Sequence, residues 1–178
     1  EKILEKMLCE LEKAEKYIFI EFFIIAEGKM WSAVSDILER KVEQGVEVKG
    51  MFDDFGSIKR QSKNFIKRLR KKGIEVAVFN KIRPSLDIFM NNRNHRKIVV
   101  IDGKTAVTGG LNLADEYINE LERFGYWMDC AVIVKGDAVK NFLAMFCSTW
   151  EFTTGKEIDM DAHISEGKVL AKGFLLPY

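Results

Sequence analysis

A histidine and a lysine two residues apart are the first candidates for chemistry in this sequence. His95 precedes an apolar run, and Lys97 begins that run. Alternate side chains of a β-strand share a face, so His95 and Lys97 should point together, with Arg96 on the opposite side. An imidazole can attack phosphorus, and an ammonium can neutralise the phosphate oxygens as charge develops. The pair predicts chemistry on a phosphate ester, and the plainer alternative is a structural histidine.

Asp102, five residues after Lys97, has the opposite parity in a regular strand. Its side chain should therefore not reach the same phosphate, and we expect it to have a structural role. Asp102 and Gly103 also form a dipeptide that is typical of a two-residue hairpin turn.

A glycine-rich segment follows the second strand of that hairpin, with the sequence Gly109-Gly110-Leu111-Asn112. Glycines allow close backbone approach, and the free N–H groups at a helix N-terminus attract anions. We therefore predict that Gly110 and Asn112 open a helix and bind phosphate. The alternative for Asn112 is a helix N-cap.

Two carboxylates complete the candidate site. Asp129 lies in a predicted strand and could bond the far nitrogen of His95, which would fix the tautomer of the imidazole. Its alternative is a buried, hydrogen-bonded strand residue. Glu21 interrupts the apolar run 17–26, and since an unpaired buried carboxylate is costly, we expect it to have a hydrogen-bonding partner near the site.

The apolar periodicity predicts alternating helices and strands. The predicted helices are 3–13, 32–43, 61–72, 113–121 and 138–149. The predicted strands are 17–25, 46–52, 74–79, 97–101, 105–108 and 127–134, with a long loop at 80–94. This order indicates an α/β domain with one sheet and helices on both faces.

The composition limits the classes of function. The 178 residues include 28 Lys+Arg and 27 Asp+Glu, and this balance argues against a dedicated nucleic-acid-binding domain. The longest apolar run has ten residues, whereas a membrane helix needs roughly 20, so we expect a soluble piece. The cysteines, Cys9, Cys130 and Cys147, are odd in number and contain no CxxC pair, which indicates neither disulfides nor a metal site.

One segment departs from this balance. Between residues 59 and 72 the sequence has eight basic residues and no acidic one: Lys59, Arg60, Lys63, Lys67, Arg68, Arg70, Lys71 and Lys72. A solvated helix face is the plainest interpretation. The two functional alternatives are contact with anionic lipid head groups and contact with DNA phosphates.

Together, His95, Lys97 and Asp102, followed by the glycine-rich segment, resemble the HxKxxxxD motif of the phospholipase D superfamily. Over about residues 17–152 the sequence is similar to bacterial cardiolipin synthases. The further matching segments are Asp53-Asp54-x-Gly56-Ser57, Asn91-x-Arg93-Asn94, Asp115-Glu116-Tyr117 and Phe124-Gly125-Tyr126-Trp127-x-Asp129. Gly110, where nucleases and many phospholipases of the superfamily carry serine, favours the cardiolipin synthase branch.

The resemblance implies a phospholipase D-like α/β/α sandwich with a central mixed sheet. Residues 1–155 would form one domain, and 156–178 a tail that leads into a second. The active site of the family is built from two such motifs, which implies His95, Lys97 and Asp102 as catalytic residues and no metal or other cofactor. The second motif would come from the same protein or from a homodimer partner.

The implied reaction joins two phosphatidylglycerol molecules into cardiolipin and glycerol through a phosphohistidine. The full-length protein would then act at the cytoplasmic face of the cell membrane on an anionic phospholipid, with nucleic acid an improbable partner. Two alternatives remain: a metal-independent nuclease or phospholipase D that acts as a homodimer, or a non-catalytic half that docks on membranes.

Overall fold

A mixed sheet of six strands forms the centre of the structure, a computed structural model that describes residues 2–82, 92–123 and 125–165. The strands are β1 (Tyr17–Phe22), β2 (Glu47–Asp53), β3 (Glu75–Phe79), β4 (Lys97–Ile101), β5 (Thr105–Gly109) and β6 (Ala131–Lys135). Their order in the sheet is β3-β2-β1-β4-β5-β6. Strands β1, β2 and β3 are parallel, and β4, β5 and β6 each run antiparallel to the preceding neighbour in that order.

Helices cover both faces of this sheet. They are α1 (Lys2–Leu11), α2 (Lys29–Glu43), α3 (Asp54–Ser57), α4 (Phe65–Lys71), α5 (Val139–Thr154) and α6 (Met160–His163), with 3-10 helices at Ile58–Arg60 and Asp115–Ile118. Apolar residues of α1, α2 and α4 pack in one core, and those of α5 pack in the other. The predicted α/β/α sandwich with a mixed sheet is therefore confirmed.

Strand β1 shows how the sequence builds the two cores. Ile18, Ile20 and Phe22 point into the core beneath α1 and α2, whereas Tyr17 and Phe19 point toward α5. All six residues of the strand are buried. An almost continuous apolar sequence is what a central strand covered on both faces requires.

The strand directions bring six chain segments to one end of the sheet. The carboxyl ends of β1, β2, β3 and β5 meet there, together with the amino ends of the antiparallel strands β4 and β6. We refer to this edge as the carboxyl end. In open α/β sheets, ligands bind beyond the carboxyl ends of the parallel strands, so it is the expected place for a site.

Asp102 lies at the other end of the sheet. It follows β4, five residues or about 16 Å along the strand from Lys97. Asp102 and Gly103 have φ values of 52° and 63°, as a type I′ hairpin turn requires. The carboxylate of Asp102 accepts hydrogen bonds from the N–H groups of Glu15, Lys16 and Tyr17 at 2.8 to 2.9 Å. This geometry agrees with the parity argument and corrects the assignment of Asp102 to the catalytic residues.

Several predicted elements have different bounds. Only the 3-10 helix Asp115–Ile118 forms within the predicted helix 113–121, because Asn119 has a left-handed backbone, with φ 59°, that ends it. The carboxylate of Asp115 accepts the N–H groups of Lys29 and Met30 at the start of α2. The predicted strand 127–134 begins only at Ala131, and the predicted strand 17–25 ends at Phe22.

Parts of the predicted loop 80–94 and of the tail 156–178 lie outside the described residues, as do Asn91 and Phe124 of the resemblance. In the described part of the tail, Tyr17 donates a hydrogen bond from its hydroxyl to the carbonyl oxygen of His163. Across the described ranges, no helix has the length and apolar character needed to cross a bilayer. All three cysteines are free thiols.

The role of Asp102 can be tested by unfolding. We expect Asp102→Ala to lower the free energy of unfolding by about 3 kcal/mol, because three backbone N–H groups lose a charged acceptor. Asp102→Asn should cost less, since Asn-Gly also favours the type I′ turn. Urea titrations of the two variants and the wild type measure this order, and an unchanged alanine variant would contradict it.

Candidate active site

His95 and Lys97 lie together at the carboxyl end of the sheet. The ammonium of Lys97, the first residue of β4, donates a hydrogen bond to the carbonyl oxygen of His95 at 2.6 Å. Both side chains also contact Phe23, with 4.8 Å between the ring centroids of Phe23 and His95. The Lys97 nitrogen lies 5.5 Å from the same Phe23 ring. The structure therefore places the two predicted residues on one aromatic support, which sequence reasoning missed.

Arg96 points the other way, as strand alternation predicts. Its guanidinium donates a hydrogen bond to the hydroxyl of Thr149 on α5 at 2.9 Å. This contact ties the start of β4 to the helix on the opposite side from Phe23.

The protonation states of the pair suit an attack on phosphorus. Burial lowers the pKa of Lys97 to about 8, and the negative charge of Asp129 partly opposes this shift. Burial and the charge of Lys97 also lower the pKa of His95 below its ordinary 6.5, and Asp53 partly opposes them. At neutral pH the imidazole is therefore mostly neutral, and the ammonium is mostly charged.

Asp53 holds the segment that leads into His95. It is the last residue of β2, and its side chain is fully buried. Its carboxylate accepts hydrogen bonds from the N–H of Asn94 and from the guanidinium of Arg93, both at 3.0 Å. A third bond comes from the N–H of Phe55 at 2.8 Å. The Asp53 carboxylate thus anchors residues 93 and 94 and fixes the path of the chain just before His95.

Glu21 supports the same segment from β1. A hydrogen-bonding partner was expected for Glu21, and it is Asn94, whose side-chain amide donates to the Glu21 carboxyl at 2.5 Å. The nearest guanidinium nitrogen, that of Arg96, is 4.0 Å away. Among the described residues, the second oxygen of Glu21 has no hydrogen-bond partner. Because Glu21 is only 1% exposed, burial raises its pKa to about 7.

Asp129 does not bond His95 as predicted. Its carboxylate accepts hydrogen bonds from the indole of Trp127 at 3.1 Å and from the N–H of Cys130 at 2.8 Å. Among the described hydrogen bonds, none joins it to His95. The reason is that residue 129 lies in the loop before β6, so strand alternation does not set the direction of its side chain. Its negative charge acts on Lys97 instead.

Gly110 packs directly against Asp129. Its N–H donates to the carbonyl oxygen of Cys130 at 3.2 Å, and a Cβ atom at this position would overlap the Asp129 carboxylate. A serine at residue 110 would therefore displace Asp129. The glycine is needed for close approach to this carboxylate.

Asn112 does not begin a helix, so both helix-based predictions for it are wrong. Its side chain accepts a hydrogen bond from the N–H of Ile24 at 2.9 Å and donates one to the hydroxyl of Tyr117 at 2.8 Å. These bonds join the loops after β1 and β5. An amide has two N–H donors, and the Tyr117 bond uses one of them.

A groove of about 1020 Å³ opens at this end of the sheet. Its polar lining consists chiefly of Arg93, Asn94, His95, Arg96, Lys97, Ser148 and Thr149. Its apolar lining includes Phe79, Val132, Phe142, Met145 and Phe152. The histidine and lysine therefore line a space that has both polar and apolar side chains around it.

Comparison with known proteins identifies this arrangement. The family described as "Cardiolipin synthase, PLD-like domain" matches residues 7–150, most of the chain. The chain belongs to this family. The resemblance to the phospholipase D superfamily is thereby confirmed for the phospholipase D-like domain.

Relatives and a solved structure agree with this assignment. An uncharacterized protein of Streptococcus mutans serotype c is 47% identical over 176 residues, which are 98% of this chain and 38% of that protein. A cardiolipin synthase of Alkalihalophilus pseudofirmus is 37% identical over 168 residues, 94% of this chain and 33% of that enzyme. The phospholipase D-like domain thus spans between a third and two fifths of the length of these relatives.

The fold is shared with Nuc, a phospholipase D family member from Salmonella typhimurium. The two structures superpose with a TM-score of 0.61 and 16% sequence identity, over 86% of this chain and 89% of that one.

The environment of His95 can be measured directly by NMR titration. We expect the pKa of its imidazole to lie below 6.5, and to rise in Lys97→Met, which keeps an apolar stem but removes the adjacent positive charge. Asp53→Asn should lower the pKa further, because it removes the opposing negative charge. Equal midpoints in the wild type and the Lys97 variant would contradict this electrostatic coupling.

Glu21 should make stability depend on pH. Its pKa is about 7 in the fold against an ordinary 4.5, so the unfolded chain ionises first as the pH rises. The wild type should therefore lose up to roughly 3 kcal/mol relative to Glu21→Gln between pH 4.5 and pH 7. Urea unfolding across this range tests the claim, and parallel pH curves for the two proteins would contradict it.

Proposed function

We propose that this phospholipase D-like domain is the catalytic half of a cardiolipin synthase. The reaction transfers a phosphatidyl group from one phosphatidylglycerol to a second and releases glycerol. The observation that carries the proposal is the neutral His95 beside the buried, charged Lys97, both of which line a groove with polar and apolar side chains. The family membership supports the same reaction.

In the first step, an imidazole nitrogen of His95 attacks the phosphorus of phosphatidylglycerol. A nitrogen–phosphorus bond forms, the bond from phosphorus to the head-group oxygen breaks, and that oxygen takes a proton and leaves as glycerol. The product on the protein is a phosphatidyl-histidine.

In the second step, a glycerol hydroxyl of another phosphatidylglycerol attacks the same phosphorus. The new oxygen–phosphorus bond replaces the bond to His95, the hydroxyl loses its proton, and cardiolipin leaves. The first phosphatidylglycerol thus supplies a phosphatidyl group, and the second supplies an alcohol. The histidine returns to its starting state because its bond to phosphorus is broken.

Lys97 is proposed to stabilise the charge on the phosphate oxygens in both steps. Its ammonium is held in a site where burial weakens competition from water, which strengthens its attraction for an anion. The second N–H of the Asn112 amide is a proposed further donor. Asp53, Glu21 and Asn94 act through His95 by fixing the chain that carries it.

The proton donor and acceptor of the two steps are proposed to come from a second motif of the same type. This domain covers about a third of the length of its cardiolipin synthase relatives, which leaves room for one in a longer protein. A homodimer is the other way to bring two motifs together. We propose the cytoplasmic face of the cell membrane as the place of action.

The decisive variant is His95→Ala in the intact protein. We expect it to lower cardiolipin formation from phosphatidylglycerol vesicles by a factor of about 1,000 or more, because the nucleophile is removed. His163→Ala is the matched control, since this second histidine bonds Glu47 and Asp159 at the opposite end of the sheet. It should change the rate by less than about threefold.

Substantial cardiolipin formation by His95→Ala would overturn the proposal. So would a preparation that cleaves DNA through His95 but forms no cardiolipin, which would favour the nuclease alternative. The solution mass of the isolated chain, measured beside its activity, separates an active homodimer from a half that needs another domain.

A further inference from the structure

Four lysines recur at every fourth position across the segment that includes α4. They are Lys59, Lys63, Lys67 and Lys71, all exposed, and we call them the lysine stripe. Phe65 and Leu69 form the buried side of α4. At 3.6 residues per turn, Lys67 and Lys71 lie on the side of the helix opposite this buried pair.

The neighbouring basic residues are already paired, whereas the lysine stripe is not. Arg60 bonds Glu116, Arg68 bonds Glu27 and Lys72 bonds Glu39. Arg70 donates to the carbonyl oxygen of Val76 at 2.9 Å. Within the described ranges, the four lysines have no acidic partner. The structure thus divides the basic segment into cations that have a partner in the fold and exposed cations that have no acidic partner among the described residues.

Two large apolar side chains are exposed at the start of the same segment. Phe55 on α3 is 62% exposed, and Ile58, three residues later, is 49% exposed. Lys59 follows directly, so α3 and the 3-10 helix after it present an aromatic ring, an aliphatic side chain and a cation within five residues. This combination is typical of surfaces that insert shallowly into the head-group region of a bilayer.

The apolar pair lies next to the candidate active site. Phe55 donates its N–H to Asp53, and its ring centroid is 5.6 Å from the guanidinium of Arg93. Asp53 in turn holds Asn94, the residue before His95. A surface bound through Phe55 and Ile58 is therefore brought close to the segment that carries the histidine.

We propose that Phe55, Ile58 and the lysine stripe dock this domain on an anionic lipid bilayer and present the His95 groove to its head groups. The inference names the partner surface of the proposed phosphatidyl transfer and in that respect rests on it. The lysines attract the negative surface, and the two apolar side chains enter it.

The observations favour a bilayer over nucleic acid. DNA binding needs cations that reach phosphates, and it gains little from an exposed aliphatic side chain such as Ile58. The chain as a whole has a net charge of only +1, so attraction to an anion depends on this local stripe. An apolar pair beside a basic stripe fits lipid, in which both kinds of side chain find a partner.

The test is sedimentation of the 178-residue chain with vesicles of phosphatidylglycerol and phosphatidylcholine, and with phosphatidylcholine alone. Each lysine near an anionic surface is worth roughly fivefold in binding, so Lys63→Gln, Lys67→Gln and Lys71→Gln together should lower the partition coefficient about a hundredfold. Phe55→Ser with Ile58→Ser should lower it about tenfold. Raising the salt concentration should weaken wild-type binding.

The matched control replaces three exposed lysines in and just after α1, Lys2, Lys6 and Lys16, by glutamine, with the same change of net charge. It should bind vesicles nearly as the wild type does, and circular dichroism checks that every variant is folded. Equal binding by the stripe variant and the control would overturn the inference. Stripe-dependent binding to duplex DNA without binding to vesicles would overturn it in favour of nucleic acid.

Docking and chemistry fail separately in this design, because transfer can also be assayed in detergent micelles. Loss of the docking inference with His95-dependent transfer intact would leave the proposed function standing. If docking depends on the lysine stripe but phosphatidyl transfer does not need His95, only the proposed function is contradicted.

Discussion

The antiparallel pairing of β4 with β1, with Lys97 opposite Phe22, is the constraint on which the site depends. Because β4 runs antiparallel to β1, its amino end lies at the carboxyl end of the sheet, where β1 and β2 end. His95 and Lys97 thereby meet Phe23, and Asn94, just before them, meets the two buried carboxyls. A shift of one residue in this register would turn Lys97 to the α5 face and away from Phe23.

Around this pairing, buried polar groups hold the chain that precedes β4. Asp53 takes three donors, among them Arg93 and the N–H of Asn94, and Glu21 takes the Asn94 amide. Glu21 is the less well matched of the two, since one of its oxygens has no partner among the described residues and its pKa rises to about 7. A buried polar group that lowers stability in this way is typical of functional sites, where the position of the side chains matters more than the stability of the fold.

Part of the fold and of the candidate site could be predicted from the sequence. Local periodicity predicted the alternation of strands and helices, and residue parity separated His95 and Lys97 from Arg96 and set Asp102 apart. These inferences succeed because they concern neighbours in one strand. The need of a buried carboxyl for a partner likewise predicted that Glu21 is bonded near the site.

The errors concern contacts between segments far apart in the chain. Asn112 bonds Ile24. Asp115 accepts N–H groups at the start of α2 and begins only a short 3-10 helix where a longer helix was predicted. Asp129 lies in a loop against Gly110, so its charge acts on Lys97. Phe23 could not be found in advance, because its role follows from the pairing of β1 with β4, and local pattern does not determine which strands pair.

The most direct test of the account is to trap the proposed covalent intermediate. The intact protein would be mixed with radiolabelled phosphatidylglycerol, denatured within one turnover and digested, and the labelled peptide identified by mass spectrometry. The account predicts a phosphatidyl group on the peptide that contains His95. A label on another residue, or cardiolipin formed within that turnover with no labelled peptide, would contradict it.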